Sequence, residues 1–531
     1  MGFINSHLLT AIIFLPIAGM IVVLAMPSKW TRGIRVFSLF TSLCVFALTA
    51  LAFTRVSGTG EFEIVEQAPW IVSLGISYHL GIDGASLLLL LLTAVLVPIS
   101  IIASWREIDR QVKAFHVLIL LLETGMLGVF AALDVFLFYV FWEVVLIPMY
   151  FMIGIWGSGD RIRAALKFVI FTMVGSLLML VAILYAANAA NSFDLLAWYA
   201  HHFTAREQIW LFAALALAFA IKVPIIGFHT WLPDAHTEAP TAGSILLAGV
   251  LLKMGAYGFF RFAMPLFPLA VVEFMPAILT LSVVGIIAGA LLAMVQPDLK
   301  RLIAYSSVSH MGFVMLGLAA LNREAVAGSV LQMVNHGLTT GALFLMVGMI
   351  YGRRHTRMIA DYGGTARSWP ALAAVFIFMV LSSMGLPGLN NFAGEFLVLL
   401  GSFQTRTVFS AIAILGVILV AIYMLWAVAR VFFGPLKNEE ERRMPDLCAR
   451  EYATLVPLIA LIIMIGVWPE FLLTKIWRPA QVFVKLSKRV EMIVPASIPP
   501  REVFPSPLMG EGQGEGGNGK IVMKTEGSPS L

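Results

Sequence analysis

Residues 222–241 read KVPIIGFHTWLPDAHTEAPT. They begin inside an apolar run of helix length, WLFAALALAFAIKVPIIGFHTW (210–231), which places Lys222 two residues before Pro224. A charged side chain at the centre of a membrane helix costs about 2.5–3.5 kcal/mol on insertion scales. A proline inside a helix removes one backbone hydrogen bond and clashes with the carbonyl one turn earlier. In hydrocarbon the freed groups need protein or water partners. A chain that places both inside one apolar segment has a use for an interrupted, hydrated helix.

The rest of the sequence supports a membrane setting. The chain has 531 residues, 60% hydrophobic and 12% charged, whereas soluble domains are about 25% charged. Its mean hydropathy is +0.92. Apolar runs of about 20 residues recur throughout, without the two-residue alternation of a β-barrel, so the sequence predicts an all-α polytopic membrane protein. The first run, FINSHLLTAIIFLPIAGMIVVLAM (3–26), has no basic leader and no small-residue cleavage site, and reads as a retained span. Cys44 and Cys448 are isolated. Two thiols cannot ligate an iron–sulfur cluster, which takes four protein ligands, and no disulfide is expected between them.

About 14 spans are expected, near 3–26, 34–54, 81–104, 114–133, 135–156, 164–189, 208–232, 240–263, 271–294, 300–320, 325–350, 370–400, 408–433 and 452–473. Loop charge orients them. One set of loops holds 19 Lys and Arg residues, from Lys29 to Arg450, and the alternate set holds 5: Arg55, Arg206, Arg261, Arg323 and Arg406. The positive-inside rule puts the first set in the cytoplasm and both termini outside. The segment after span 14 is an exception, basic at Lys475, Arg478, Lys485, Lys488 and Arg489 yet outside in this reading. From about 495 the Pro-, Gly- and Ser-rich tail is expected to be disordered. GQGEGG (512–517) and GEGGNGKI (514–521) imitate nucleotide-binding loops there. They follow no strand, and Ile521 stands where a magnesium-binding hydroxyl belongs. Nothing in the chain points to a nucleic-acid partner.

Several ionisable residues fall inside the spans. Glu123 lies in HVLILLLETGMLGVF, Glu143 in VFLFYVFWEVVLIPMY, and Lys253 in SILLAGVLLKMGAYGFF. His310 lies in YSSVSHMGFVML, His336 in VLQMVNHGLTTGALF, and Glu395 follows the break GLPGLNNFAGEF at Pro387. With Lys222, most of these count to similar depth near the bilayer centre. Such groups must face inward, pair or touch water, and they mark proton or ion paths. A Lys–Glu pair about 4 Å apart gains about 4 kcal/mol at an effective dielectric near 20, and Glu143 with Lys222 is the pair expected. Lysine, histidine and glutamate in a row, linked by water, suit proton relay. Histidine as a residue type ordinarily titrates near neutrality, which suits His310 and His336 to relay steps, and Glu395 would end the row. Glu123 is equally well read as inert glue between helices. No metal cage is expected, since the carboxylates alternate with lysines and the two histidines have no Cys or carboxylate beside them. HTWLPDAHTEAPT adds His229, Asp234, His236 and Glu238 in a loop without Lys or Arg. It is a candidate for the side where protons arrive, or a plain turn that starts span 8.

Spans 4–8 and 9–13 form two groups of five, each with its fourth helix broken, at Pro224 in span 7 and Pro387 in span 12. Paired interruptions point to inverted repeats and to the ion site. Lys222 would then correspond to Glu395, and Glu143 to His310. The organisation expected is 1–111 for the first three spans, 112–264 and 270–434 for the repeats, 435–473 for a loop and span 14, and 474–531 for the tail.

The motifs FYVFWEVVLIPMYFMIGIWG (138–157), KVPIIGFHTWLPDAHTEAPTAGSILLAGVLLKMGAYG (222–258), DLKRLIAYSSVSHMGFV (298–314) and MVNHGLTTGALFLMVG (333–348) resemble the antiporter-like subunits of respiratory complex I. The resemblance covers all the spans. It implies that Glu143, Lys222, Lys253, His310 and Glu395 transfer protons, with His336 beside them. A glutamate at position 395 is similar to the subunit M branch; the L and N branches typically carry lysine there. The resemblance also implies neighbours of the L and N type, lipid, and no cofactor on this chain. NADH, flavin, iron–sulfur clusters and quinone would be handled by the whole complex. A subunit of an Mrp-type cation/proton antiporter or of a membrane-bound hydrogenase is the alternative, and a non-pumping scaffold the third.

Overall fold

The structure, a computed structural model, describes residues 7–437 and 444–489. The tail expected to be disordered lies outside them, as do Arg442, Arg443 and the first residues of span 1. Helices α1 (Leu8–Ala25) and α2 (Thr31–Arg55) lead into a hairpin of β1 (Ile64–Ile71) and β2 (Ile76–Ile82). Then follow α3 (Gly84–Glu107), α4 (Val112–Ala131), α5 (Val135–Val144), α6 (Leu146–Trp156) and α7 (Arg161–Ala190). The short α8 (Leu195–Ala200) precedes α9 (Ala205–Lys222), α10 (Trp231–Glu238) and α11 (Thr241–Leu266). The second half holds α12 (Pro268–Met294), α13 (Leu299–Ala319), α14 (Arg323–Arg354), α15 (Pro370–Ser383), α16 (Asn390–Thr405) and α17 (Thr407–Phe432). α18 (Ala449–Val467) and α19 (Glu470–Ser487) close the described chain.

Twelve helices among the described residues are long and apolar enough to cross a membrane, α5 and α6 counting as one. The two remaining expected spans are the interrupted pairs, α9 with α10 and α15 with α16. Helices α11, α13 and α14 are almost wholly enclosed, while α1, α2, α7, α17 and α18 turn large apolar side chains outward. The enclosed helices carry Lys253, His310 and His336, so the costly side chains sit where hydrocarbon does not reach.

Loop contacts sort the bundle into two ends. At the basic end Lys113 Nζ donates to the Met26 carbonyl (2.9 Å), Lys300 Nζ to the Ala239 carbonyl (2.5 Å), and Arg353 pairs with Glu451 (2.8 Å). At the opposite end Glu66 of β1 accepts from the backbone N–H groups of Leu9 (2.6 Å) and Thr10 (3.1 Å). It caps α1, whose own N-cap His7 makes no side-chain cap bond. The strands pair antiparallel, Ile64 opposite Ile82.

Two features depart from the sequence reading. The loop after span 2 is a β-hairpin, so the fold is not purely helical. Span 14, expected to run to 473, ends at Val467, and an amphipathic helix begins at Glu470 after Pro469, which brings no N–H to continue the previous one. The boundary expected at 473 falls inside α19. This helix also accounts for the basic residues on the sparsely charged end. Lys475 Nζ donates to the Val56 carbonyl (2.5 Å) and stands over the Phe53 ring (5.3 Å), and Arg489 donates to the Tyr199 carbonyl (2.6 Å). Both cations are engaged by backbone carbonyls of this end.

Candidate functional site

The break at Pro224 is built from the sequence in three steps. Proline offers no N–H to the Ala220 carbonyl, and Ile225 N–H takes that place (2.8 Å). The Ile221 carbonyl is thereby left over, and Trp231 Nε1 donates to it (2.9 Å). Gly227, at φ +98°, supplies the left-handed turn that brings the indole back. Lys222 is the last residue of α9, buried, with its ammonium over the Trp142 ring (4.8 Å). The expected Glu143–Lys222 pair is not in direct contact: among the described residues Glu143 forms no ion pair, and its Oε1 is buried without a hydrogen-bond partner. The aromatic face of Trp142 occupies that place, a cation–π contact that the motif FWE contains. Glu143 ends at a break of its own, because Pro148 leaves the Val144 carbonyl without a helical donor and the helix is interrupted at Val145.

Lys253 lies between two π-helical stretches of α11, Leu247–Leu251 and Phe259–Ala263. Such bulges gather at functional sites because they loosen the carbonyl ladder. The ammonium donates to the Ala248 carbonyl and to His336 Nδ1 (2.6 Å). The His336 and His310 rings lie 5.6 Å apart between centroids. His310 Nδ1 meets Glu395 Oε1 at 2.8 Å, and Ser383 Oγ lies 3.3 Å from its Nε2. Lys253, His336, His310 and Glu395 therefore form one row of neighbours across α11, α14, α13 and α16. The tautomers follow from partner chemistry when Lys253 is charged and Glu395 ionised. A charged ammonium only donates, so His336 accepts on Nδ1 and holds its proton on Nε2; an ionised carboxylate only accepts, so His310 holds its proton on Nδ1. His336 Nε2 has no hydrogen-bond partner among the described residues. No direct hydrogen bond joins Lys222 to Lys253 among the described residues, although α9 and α11 touch at Gly255. A Cβ there would stand 2.8 Å from the Phe219 carbonyl oxygen.

The second break runs from Gly385 (φ +72°) to Gly388 (φ +90°) around Pro387. Sequence reading missed the amides that hold it. Gln332 Nε2 donates to Glu395 Oε1 (2.9 Å), Asn335 Nδ2 to the Asn390 carbonyl (2.7 Å), and Asn391 Nδ2 to the Ser382 carbonyl (3.0 Å). The signal was present as VLQMVNHG, where Gln332, Asn335 and His336 recur at one-turn spacing on one helix face.

The segment 229–238 has no Lys or Arg of its own, as expected, but it is not a loop. It contains α10, and neighbouring helices supply the cations: Asp234 pairs with Lys167 (2.6 Å) and Arg301 (3.4 Å). His236 is fully buried, stacked on Phe344 at 4.4 Å, with both ring nitrogens unpartnered. His229 Nδ1 accepts from Gly227 N–H (3.3 Å). Glu123 shares no hydrogen bond or ion pair with the row among the described residues and accepts from Ser42 (3.1 Å). Among the described residues no three His, Cys, Asp or Glu side chains gather as a metal cage would require.

Interrupted helices around a buried row of lysine, histidine and glutamate define an antiporter-like membrane protein. The chain belongs to the family described as NADH:quinone oxidoreductase/Mrp antiporter, which it matches over residues 132–423. It is similar to NADH-ubiquinone oxidoreductase chain 4 of Marchantia polymorpha, 43% identical over 88% of this chain and 94% of that one. It is equally similar to NADH-quinone oxidoreductase subunit M of Rhodobacter capsulatus, with 43% identity over the same shares. Among solved structures it resembles a chain of respiratory complex I from Thermus thermophilus with bound NADH: TM-score 0.83, 34% identity, 90% of this chain and 99% of that one. A chain of the Mrp complex from Dietzia sp. DQ12-45-1b shares the fold at TM-score 0.77, with 20% identity over 91% of this chain and 99% of that one.

Proposed function

We propose that this chain is the proton-translocating subunit M of a bacterial NADH–quinone oxidoreductase. In this reading NADH oxidation and quinone reduction, with flavin and iron–sulfur clusters, proceed in other subunits, and neighbours of the L and N type flank this one. The observation that carries the reading is the row Lys253, His336, His310 and Glu395, contributed by four separate helices. A proton passed from Lys253 to His336 Nδ1 releases the proton on His336 Nε2. His310 and Glu395 take it onward, through a bridging water or a ring rotation. Lys222, poised on Trp142 and near Glu143, loads Lys253 through water, and opening or closing of the Pro224 break sets when it does so.

The remaining assignments follow the same logic. The interrupted pairs α9–α10 and α15–α16 each cross once, giving fourteen crossings with both termini periplasmic. Residues 112–264 and 270–434 are inverted repeats in which Lys222 corresponds to Glu395 and Glu143 to His310. Protons arrive at the basic end past His229, Asp234 and His236; burial of His236 with two unpartnered nitrogens supports that role. The Mrp-type reading rests on the shared family and on a likeness of fold at 20% identity, while the relatives at 43% identity are complex I chains. In the assembled enzyme Glu143→Ala should still oxidise NADH with an artificial acceptor and lose quinone-coupled pumping. Pumping at the wild-type proton-to-electron ratio would remove Glu143 from the relay.

A further inference from the structure

A second set of buried polar groups lies between α2 and α4, away from the central row. Glu123 is fully buried; Oε2 accepts from Ser42 Oγ (3.1 Å) and Oε1 has no protein partner. One turn toward the basic end, Ser38 Oγ is buried and unpartnered. Two turns toward it on α4, His116 is buried, with Nδ1 against the Val112 carbonyl (2.8 Å) and Nε2 unpartnered. At the mouth Arg35 donates to the Ile108 carbonyl (2.7 Å), while its Nε is buried and unpartnered. Residues 35, 38 and 42 share one face of α2, and 116 and 123 share one face of α4. Both helices start at the basic end, and the Ser42–Glu123 bond sets their register, so Arg35 and His116 come level about 10 Å from Glu123. α1 brings no titratable side chain to this interface, and α3 brings only Arg106 and Glu107 at its basic end.

Inert glue between helices would satisfy its own polar atoms. Here four buried polar atoms turn toward one interface without partners, which is unfavourable unless something pairs with them. Waters with two to four polar neighbours would relieve it. We propose that the α2–α4 interface holds a short water column carrying protons between the basic end and Glu123, which is a proton-exchange site separate from the central row. His116 holds its own proton on Nδ1 against the carbonyl, so Nε2 is free to accept one from water at the mouth and return it to water deeper in. At the inner end the carboxylate gains that proton as one O–H bond. The proposal rests on the reading that this chain moves protons.

The test uses the assembled enzyme with Cys44→Ala and Cys448→Ser in this chain. A thiol in water ionises and reacts, whereas one packed in apolar surroundings does not. Ser38→Cys, treated from the basic end with 2-aminoethyl methanethiosulfonate, should be modified as read from the subunit's mass, and Val45→Cys on the same helix should not. An unmodified Ser38→Cys, under conditions that fully label the exposed Arg32→Cys, overturns the column. Glu123→Gln should slow pumping several-fold while NADH oxidation with an artificial acceptor persists; wild-type pumping in that variant overturns the exchange role. Labelling at residue 38 does not depend on pumping. A labelled column beside a normally pumping Lys253→Met variant would therefore contradict the central row and leave this proposal standing.

Discussion

The Nζ of Lys253 and the Nδ1 of His336 stand 2.6 Å apart although the two residues are 83 positions apart in the sequence. The contact makes the histidine an acceptor toward the lysine and a donor on its far side. A substitute that accepts but cannot pass a proton through itself should break the row without breaking the packing.

His336→Gln is that substitute. Its amide oxygen can accept from Lys253, so assembly and NADH oxidation with an artificial acceptor should persist. Proton transfer through this row should fall about a hundredfold, at the lower end of what a positioned proton-transfer group contributes, and the proton-to-electron ratio should drop by the share this subunit pumps. Pumping traces with a pH-sensitive dye in sealed vesicles, set against NADH consumption, give that ratio, and a wild-type ratio would remove His336 from the path.

Trp231→Phe tests the break at Pro224. The variant keeps the ring and loses the N–H that satisfies the Ile221 carbonyl. A buried carbonyl left unpaired costs about 1–3 kcal/mol, so thermal unfolding of the detergent-solubilised complex should begin earlier in this subunit. An unchanged midpoint would show that the carbonyl has another partner.

Glu66→Ala should loosen the start of α1, because three donors from Leu9 and Thr10 converge on this carboxylate. The amides of Leu9 and Thr10 should exchange with deuterium about tenfold faster, corresponding to at least 1.4 kcal/mol, within the range for losing a cap. Wild-type exchange there would assign the cap elsewhere.

The His79–Asp194 contact (2.6 Å) clasps the hairpin to the loop before α8 at the sparsely charged end. Burial works against the Asp194 charge. The hydrogen bond from His79 and those from the Ala197 and Leu196 backbone outweigh it and hold the carboxyl below its usual value. A carboxyl whose folded value is lowered contributes stability above its unfolded value, near pH 3.9, and loses it as the pH falls through the folded value. Asp194→Asn should therefore lower the unfolding temperature at neutral pH, and the difference from wild type should close below about pH 4. A difference that stays constant to pH 3 would contradict this.

Much of the architecture was legible because hydrocarbon permits few solutions. Apolar runs had to be helices, and prolines at 224 and 387 had to interrupt them. Intramembrane ionisable side chains had to be enclosed, and Lys253, His310 and His336 lie on the three most enclosed helices. Contacts were less legible. Which neighbour fills the place beside Lys222 depends on rotamers and helix rotation, and the Trp142 ring holds it instead of Glu143. The amides Gln332, Asn335, Asn390 and Asn391 carry no charge to flag them, although they hold the second break. The hairpin and α19 were hidden for another reason: they lie along the bundle's end, where neither hydropathy nor length marks a span.

The central claim is that protons cross this chain through Lys253 and the row beyond it. Its most direct test is the proton-to-electron ratio of Lys253→Met in the fully assembled enzyme in sealed vesicles, with NADH oxidation by an artificial acceptor measured alongside. The account predicts unimpaired oxidation by that acceptor and a ratio reduced by the share this subunit pumps; an assembled variant that pumps at the wild-type ratio would contradict it.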